Sequence, residues 1–291
     1  MLSVLLLVAT VLAAGSAGAQ ERFGGLTGAV TDASSAVLPG ATVTIASQTT
    51  GAMRTVVTGS DGTYTITDLD PGRYTVTVEL SGFSRVEVQD VNVLLGRSLR
   101  VDATLEVGDF SEVVNVSAAD APAIDLRSTL VAHNVTAEEI ERLPKGRSFQ
   151  SLALTAPSVN AGEIEGGFQV NGASGAENAF TVDGVVTNSL ISGQSRQNTV
   201  FEYLQEVQVK TTGIGAEYGG ALGGVISAVT KSGGNTLRGE GHFFYEGSAL
   251  NAAPVERLVL DPSDDVTVSY VQDEEQSDHR SEFGGSIGGP I

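Results

Sequence analysis

Apolar and polar residues alternate one for one along successive short runs of this chain, a periodicity that suits β-strands with one buried and one wet face. Val43 and Ile45 stand between Thr42, Thr44 and Ala46; Tyr74, Val76, Val78 and Leu80 stand between Thr75, Thr77 and Glu79. Leu99, Val101, Ala103 and Leu105 repeat the pattern against Arg100, Asp102, Thr104 and Glu106. The dipeptides Pro39-Gly40, Asp61-Gly62 and Pro71-Gly72 supply a fixed φ or a residue tolerant of positive φ between the runs. About seven short antiparallel strands fit residues 20–107 as a sandwich, with Tyr64 and Tyr74 on inward parity as core aromatics.

Ahead of this region, Val4 to Ala14 is an apolar run followed by Ala17-Gly18-Ala19, the small-x-small pattern of a signal-peptidase site. Residues 1–19 are expected to be a cleaved signal peptide, although Met1-Leu2-Ser3 lacks the usual basic residue. At 1.5 Å per residue such a run covers only about half of a hydrocarbon core of roughly 30 Å. No later stretch reaches the apolar length of a membrane helix, so any membrane integration would come from strands.

Charge narrows the partners. With 16 basic and 35 acidic residues the net charge is −19, which disfavours nucleic acid as a partner. The absence of Cys removes thiolate catalysis and Cys-based metal centres, and His133, His242 and His279 are widely separated, so neither a metal nor a cofactor is expected. Gly284-Gly285-Ser286-Ile287-Gly288 fits G-x-S-x-G in letters only, because a nucleophile elbow needs a following helix and a downstream His. Asp68 and Asp70 flank a Pro-Gly turn, where exposure is expected rather than the burial that tunes a catalytic acid. The chain is therefore read as a non-enzyme.

Residues 108–122 form a connector. Glu112, Val113, Val114, Asn115 and Val116 are an extended segment of high β-propensity, suited either to adding an edge strand to another protein's sheet or to serving as the sandwich's last strand. Residues 123–235 change character. Thr136 to Glu139 is a capping box opening a short helix that Pro144 stops, and Phe149 to Leu154 is expected as a second. Nineteen glycines fall between Gly146 and Gly247, a backbone able to turn tightly. Four strands are expected, at Phe168–Gly172, Ala179–Val185, Glu206–Lys210 and Val225–Lys231, with Asp183-Gly184 a hairpin turn.

Two resemblances follow from these residues. Leu38-Pro39-Gly40-Ala41-Thr42-Val43, Asp61-Gly62-Thr63-Tyr64, Leu69 to Tyr74 and Gly82-Phe83 resemble the carboxypeptidase regulatory-like domain, a transthyretin or starch-binding-like sandwich without peptidase activity of its own. Asn171-Gly172, Thr181 to Val185 with Asp183 and Gly184, Tyr203 to Val209 with Glu206, Ala216 to Gly219 with Tyr218, Gly223-Gly224 and Thr230 to Gly233 with Lys231 resemble the plug domain of TonB-dependent outer-membrane receptors. Together they resemble the Oar-like subgroup. The resemblance departs at Asn171, where many members have Arg, and at Lys210-Thr211-Thr212-Gly213.

The resemblance implies a mainly β chain, a seven-stranded sandwich followed by a Gly-rich α+β plug, in an outer membrane with the sandwich periplasmic. It makes Glu112 to Val116 the box that pairs by β-augmentation with the C-terminal domain of TonB. The plug would gate an unidentified small substrate through a barrel of about 22 strands, with loops at residues 173–178 and 188–198 contributing to its site. Residues 236–291 would be the start of that barrel, too short to close it; Leu237 to Tyr245 and Phe283 to Pro290 read as barrel strands. Between them, residues 261–282 carry eight acids and Arg280, read as a solvated loop. Two other readings stay open: a secreted carbohydrate- or protein-binding module, and a metallohydrolase in which His133 and His242 converge.

Overall fold

A computed structural model describes residues 22–108, 129–143, 148–162, 167–195, 200–247, 255–260, 263, 266–272 and 279–290, and the backbone of 114–117. The expected signal segment, Glu112, Val113 and seven of the eight acids of the 261–282 run lie outside the described residues. The chain divides into two compact units, Met1–Ser232 and Gly233–Ile291.

The first unit begins with strands β1 (Gly24–Asp32), β2 (Thr42–Ser47), β3 (Met53–Val57), β4 (Thr63–Leu69), β5 (Gly72–Glu79), β6 (Val86–Val93), β7 (Ser98–Arg100), β8 (Ala103–Leu105) and β9 (Val114–Ser117). One sheet runs β4-β1-β7, with β8 also on β1; the other runs β3-β2-β5-β6-β9. Their inner faces share a core that includes Leu26, Val30, Ile45, Tyr64, Val76, Val78, Val91 and Leu105, all at most 4% exposed. Burying one such aliphatic side chain is worth about 1.5–3 kcal/mol, so the alternation read from the sequence is what holds the two sheets together. The run expected as the last strand is broken into β7 and β8. Between them Val101 donates its N–H to Thr27 (2.8 Å) while Asp102 turns its carboxylate onto the Ala29 N–H (2.7 Å). The turn dipeptides serve as read: Gly40 and Gly62 sit at φ 80° and 71°, and Asp61 takes the Thr63 N–H at 3.1 Å.

The chain then forms β10 (Val131–Thr136), helix α1 (Ala137–Arg142), a 3-10 helix (Phe149–Thr155), β11 (Val159–Ala161), β12 (Phe168–Val170), β13 (Ala179–Val182), β14 (Val185–Val186), β15 (Leu204–Thr212) and β16 (Val225–Thr230). A five-stranded sheet of order β10-β15-β16-β13-β14 is its frame, with β11 and β12 a separate hairpin. Glu139 closes the expected capping box, accepting the Thr136 backbone N–H at 2.9 Å. Phe149 and Leu152 are fully buried and, with Phe180, Val207, Val209 and Ile226, fill one side of the sheet. The second expected helix is thus a 3-10 turn, and its job is to carry Phe149 and Leu152 into the core.

The second unit holds β17 (Arg238–Gly247), β18 (Arg257–Leu260), β19 (Val268–Val271) and β20 (His279–Gly288). β17 and β20 pair antiparallel over ten residues each, Phe243 facing Phe283. Phe243, Phe283 and Ile287 are 67%, 85% and 83% exposed. Ser286 lies inside uninterrupted β20 opposite Glu240, so the G-x-S-x-G letters form a strand and not an elbow.

Candidate functional site

β15 is an interior strand, paired with β10 on one side and β16 on the other, and the structure buries both of its faces. Val207 and Val209 point into the apolar core; Glu206, Gln208 and Lys210, at 2%, 0% and 2% exposure, line the opposite face. A strand reading E-V-Q-V-K has the alternation of a half-wet strand, so something polar must cover that second face. At one end the cover is Tyr218, whose hydroxyl accepts from Lys210 Nζ at 2.8 Å and whose ring lies 4.4 Å from the ammonium.

At the other end the cover comes from the sandwich. Leu95, in the loop after β6, is fully buried. Its N–H donates to both carboxylate oxygens of Glu206 (3.2 and 3.1 Å), and its carbonyl accepts from Gln208 Nε2 (2.6 Å) and Asn134 Nδ2 (3.1 Å). Asn134 also donates to Glu206 at 2.5 Å. Two exposed contacts flank this clamp: Arg97 Nη2 to the Ala132 carbonyl and Arg73 Nη2 to Glu138, both at 2.7 Å. Burial is the main influence on Glu206 and pushes its pKa up to about 7, against the lowering effect of Asn134, the Leu95 N–H and the charge of Arg97.

The remaining residues singled out in the sequence fall at turns and close contacts around the same sheet. Asp183 and Gly184, at φ 50° and 77°, make the two-residue turn of β13 and β14. The Asp183 carboxylate then takes the Thr230 N–H (3.0 Å) and hydroxyl (2.8 Å), fastening the turn to the end of β16. Asn171 and Gly172, also at positive φ, turn the chain after β12, and Asn171 Nδ2 donates to the Thr211 carbonyl. Gly224 packs where a Cβ would meet Val170 and the Lys210 carbonyl, and Gly223 where it would meet Asn178. Gly219 has open space at that position. Lys231 is exposed, its N–H donating to the Tyr203 carbonyl at 2.7 Å.

Sequence reasoning missed Asn134, Asn178, Asn188 and Leu95. Asn178 is 2% exposed and accepts from the Gly224 N–H at 2.8 Å; Asn188 accepts the Phe180 N–H and donates to the carbonyls of Asn178 (2.7 Å) and Gly193 (2.6 Å). These two amides hold the loops at 173–178 and 188–195, from which Leu190 and Ile191 project almost fully exposed. Asn residues near glycines read as turn formers, and nothing local marks these two as buried.

Of the box candidate, Val114, Asn115 and Val116 lie in β9. That strand pairs parallel with β6, Val86 opposite Val114 through Gln89 opposite Ser117. Of the two options the sequence left open, the backbone takes the strand-of-the-sandwich one. No strand among the described residues pairs with the outer edge of β9.

Residues 25–106 match the model of the carboxypeptidase regulatory-like domain, and residues 125–225 that of the TonB-dependent receptor plug domain. The TonB-dependent transporter Oar of Myxococcus xanthus is 33% identical over 247 residues, 82% of this chain. The chain spans 22% of that relative's length. Among solved structures, the outer membrane transporter YddB of Escherichia coli is 23% identical over 43% of this chain and 20% of its own, with a TM-score of 0.38. The siderophore receptor PirA of Acinetobacter baumannii is 25% identical over 39% of this chain and 19% of its own, at 0.33.

Proposed function

We propose a gating role for this chain, which is an N-terminal portion of a TonB-dependent outer-membrane receptor: its plug closes a transport pathway, and a TonB C-terminal domain engages β9 to open it. The observation that carries this reading is the match of the plug model to 125–225, preceded by a strand that ends a sheet and whose outer edge no strand among the described residues pairs with. An unpaired edge is a template for another chain's strand, so β-augmentation of β9 extends the β3-β2-β5-β6-β9 sheet by one strand. The loops held by Asn178 and Asn188 then face the transported small molecule, and the ten-residue strands β17 and β20 have the length of tilted membrane strands. On this reading residues 1–19 direct export, the sandwich stands in the periplasm, and the domain limits are 20–107, 108–122, 123–235 and 236–291. Catalysis has no part in it, and the matched relative is likewise a transporter.

Binding of the full chain to an isolated TonB C-terminal domain tests the reading. Adjacent residues of a strand aim their N–H groups at opposite edges, so Val114→Pro and Asn115→Pro each remove one, one toward β6 and one toward the open edge. We expect measurable binding by the native chain and at least a tenfold loss in the variant at the open edge. Undiminished binding by both variants, or none by the native chain, overturns it.

The carbohydrate-binding alternative has little support from the sandwich surface. Tyr64 and Tyr74 are buried, and Phe23 and Phe83 are only partly exposed, so the described residues of the sandwich present no aromatic platform.

A further inference from the structure

The Leu95 clamp joins two bodies that each have their own core, and the group at its centre is an acid. Three plug side chains, Glu206, Gln208 and Asn134, take every backbone hydrogen-bonding group that Leu95 possesses. Lifting the sandwich from the plug would return the Glu206 carboxyl to water and strip cover from the polar face of β15. We propose that the sandwich docks on the plug through a proton-linked latch: docking buries the Glu206 carboxyl against Leu95, and the docked state is favoured more with that carboxyl neutral than ionised.

The charges around Glu206 are few. Arg97, from the same sandwich loop as Leu95, favours the carboxylate, and Glu139 of α1 disfavours it. β10 presents uncharged Asn134, β16 places Val229 opposite, and Lys210 lies farther along the same strand bonded to Tyr218. Neither neighbouring charge outweighs burial, which is the first cause of the shift. The sign follows. Undocked, the carboxyl is wet and titrates near its ordinary value of 4.5; docked, it titrates at about 7, so the docked state holds more protons between those limits. The latch is therefore at full strength below about pH 4.5, weakens as pH rises, and levels off above about 7. A protonated carboxyl keeps one oxygen to accept the Leu95 N–H. Across that window the docking constant falls by up to about 300-fold, the equivalent of the difference between the two pKa values.

Amide hydrogen exchange of the full chain reads this directly. The protection factor of the peptide containing Leu95, corrected for the intrinsic pH dependence of exchange, should fall on the order of 100-fold between pH 5 and 8 in the native protein. In Glu206→Gln, a neutral side chain of the same shape that still offers an oxygen to Leu95, it should stay level. A peptide covering Tyr74 to Val78 in β5 reports whether the variant's sandwich is folded, and one covering Phe180 to Val182 does so for its plug. If these are protected and the variant still shows the native pH dependence at Leu95, the latch is disproved; so it is if the native protection is independent of pH. If Glu206→Gln does not fold, Asn134→Asp decides instead: a second acid against Glu206 must steepen the pH dependence, and an unchanged slope overturns the proposal. None of these outcomes depends on whether TonB binds β9.

Discussion

Single atoms decide more of this molecule than its glycine-rich composition implies. Tyr64 is buried in the sandwich core and its hydroxyl donates to the Val101 carbonyl at 2.7 Å, at the break between β7 and β8. Burial raises its pKa well above the ordinary phenol value, so it remains a donor through the neutral range. Tyr64→Phe leaves that carbonyl short of a partner and should lower unfolding free energy by about 1 kcal/mol in urea titration, with little change in slope. Gly28 faces the same spot: a Cβ there would collide with the Val101 carbonyl and the Tyr64 ring, so Gly28→Ala should cost about 1–3 kcal/mol or more in the same titration. The inward parity of Tyr64 was legible from its neighbours. Its partner was not, because Val101 lies 37 residues away and no local pattern records a contact of that range.

At the scale of elements, the local devices were the readable ones. The capping box of α1, the three Gly turns of the sandwich and the Asp183-Gly184 hairpin each depend on adjacent residues, and each stands where the sequence puts it. Gly184 at φ 77° should accept Val poorly; we expect Gly184→Val to lower the melting temperature by several degrees, about 1–2 kcal/mol, measured by circular dichroism. β15 was the opposite case. Its alternation was visible, but burial of Glu206 and Gln208 depends on a sandwich loop 111 residues before Glu206, and that of Lys210 on Tyr218. The parallel seating of β9 on β6 was equally hidden, since β7 and β8 of the other sheet intervene in sequence.

At the scale of the whole molecule, the two compact units differ in what their surfaces ask for. The first unit closes its two cores; the second presents Phe243, Tyr245, Phe283 and Ile287, each more than half exposed, on a pair of ten-residue strands. An exposed apolar band of that kind seeks lipid or another apolar surface. A version of the chain ending at Ser232 should therefore run as a monomer in size-exclusion chromatography without detergent, whereas the chain through Ile291 should shift to detergent micelles or larger assemblies. Equal elution of the two would show that the strands of the second unit satisfy each other. The seating of β9 has a mechanical side. β9 and β6 point the same way, and β6 leads at its far end straight into the clamped Leu95. A pull on β9 from the end nearer Glu112 loads all four residue pairs in shear against that anchor. From the other end the same pull opens them one at a time, so the direction of tension sets whether the box strand resists or peels.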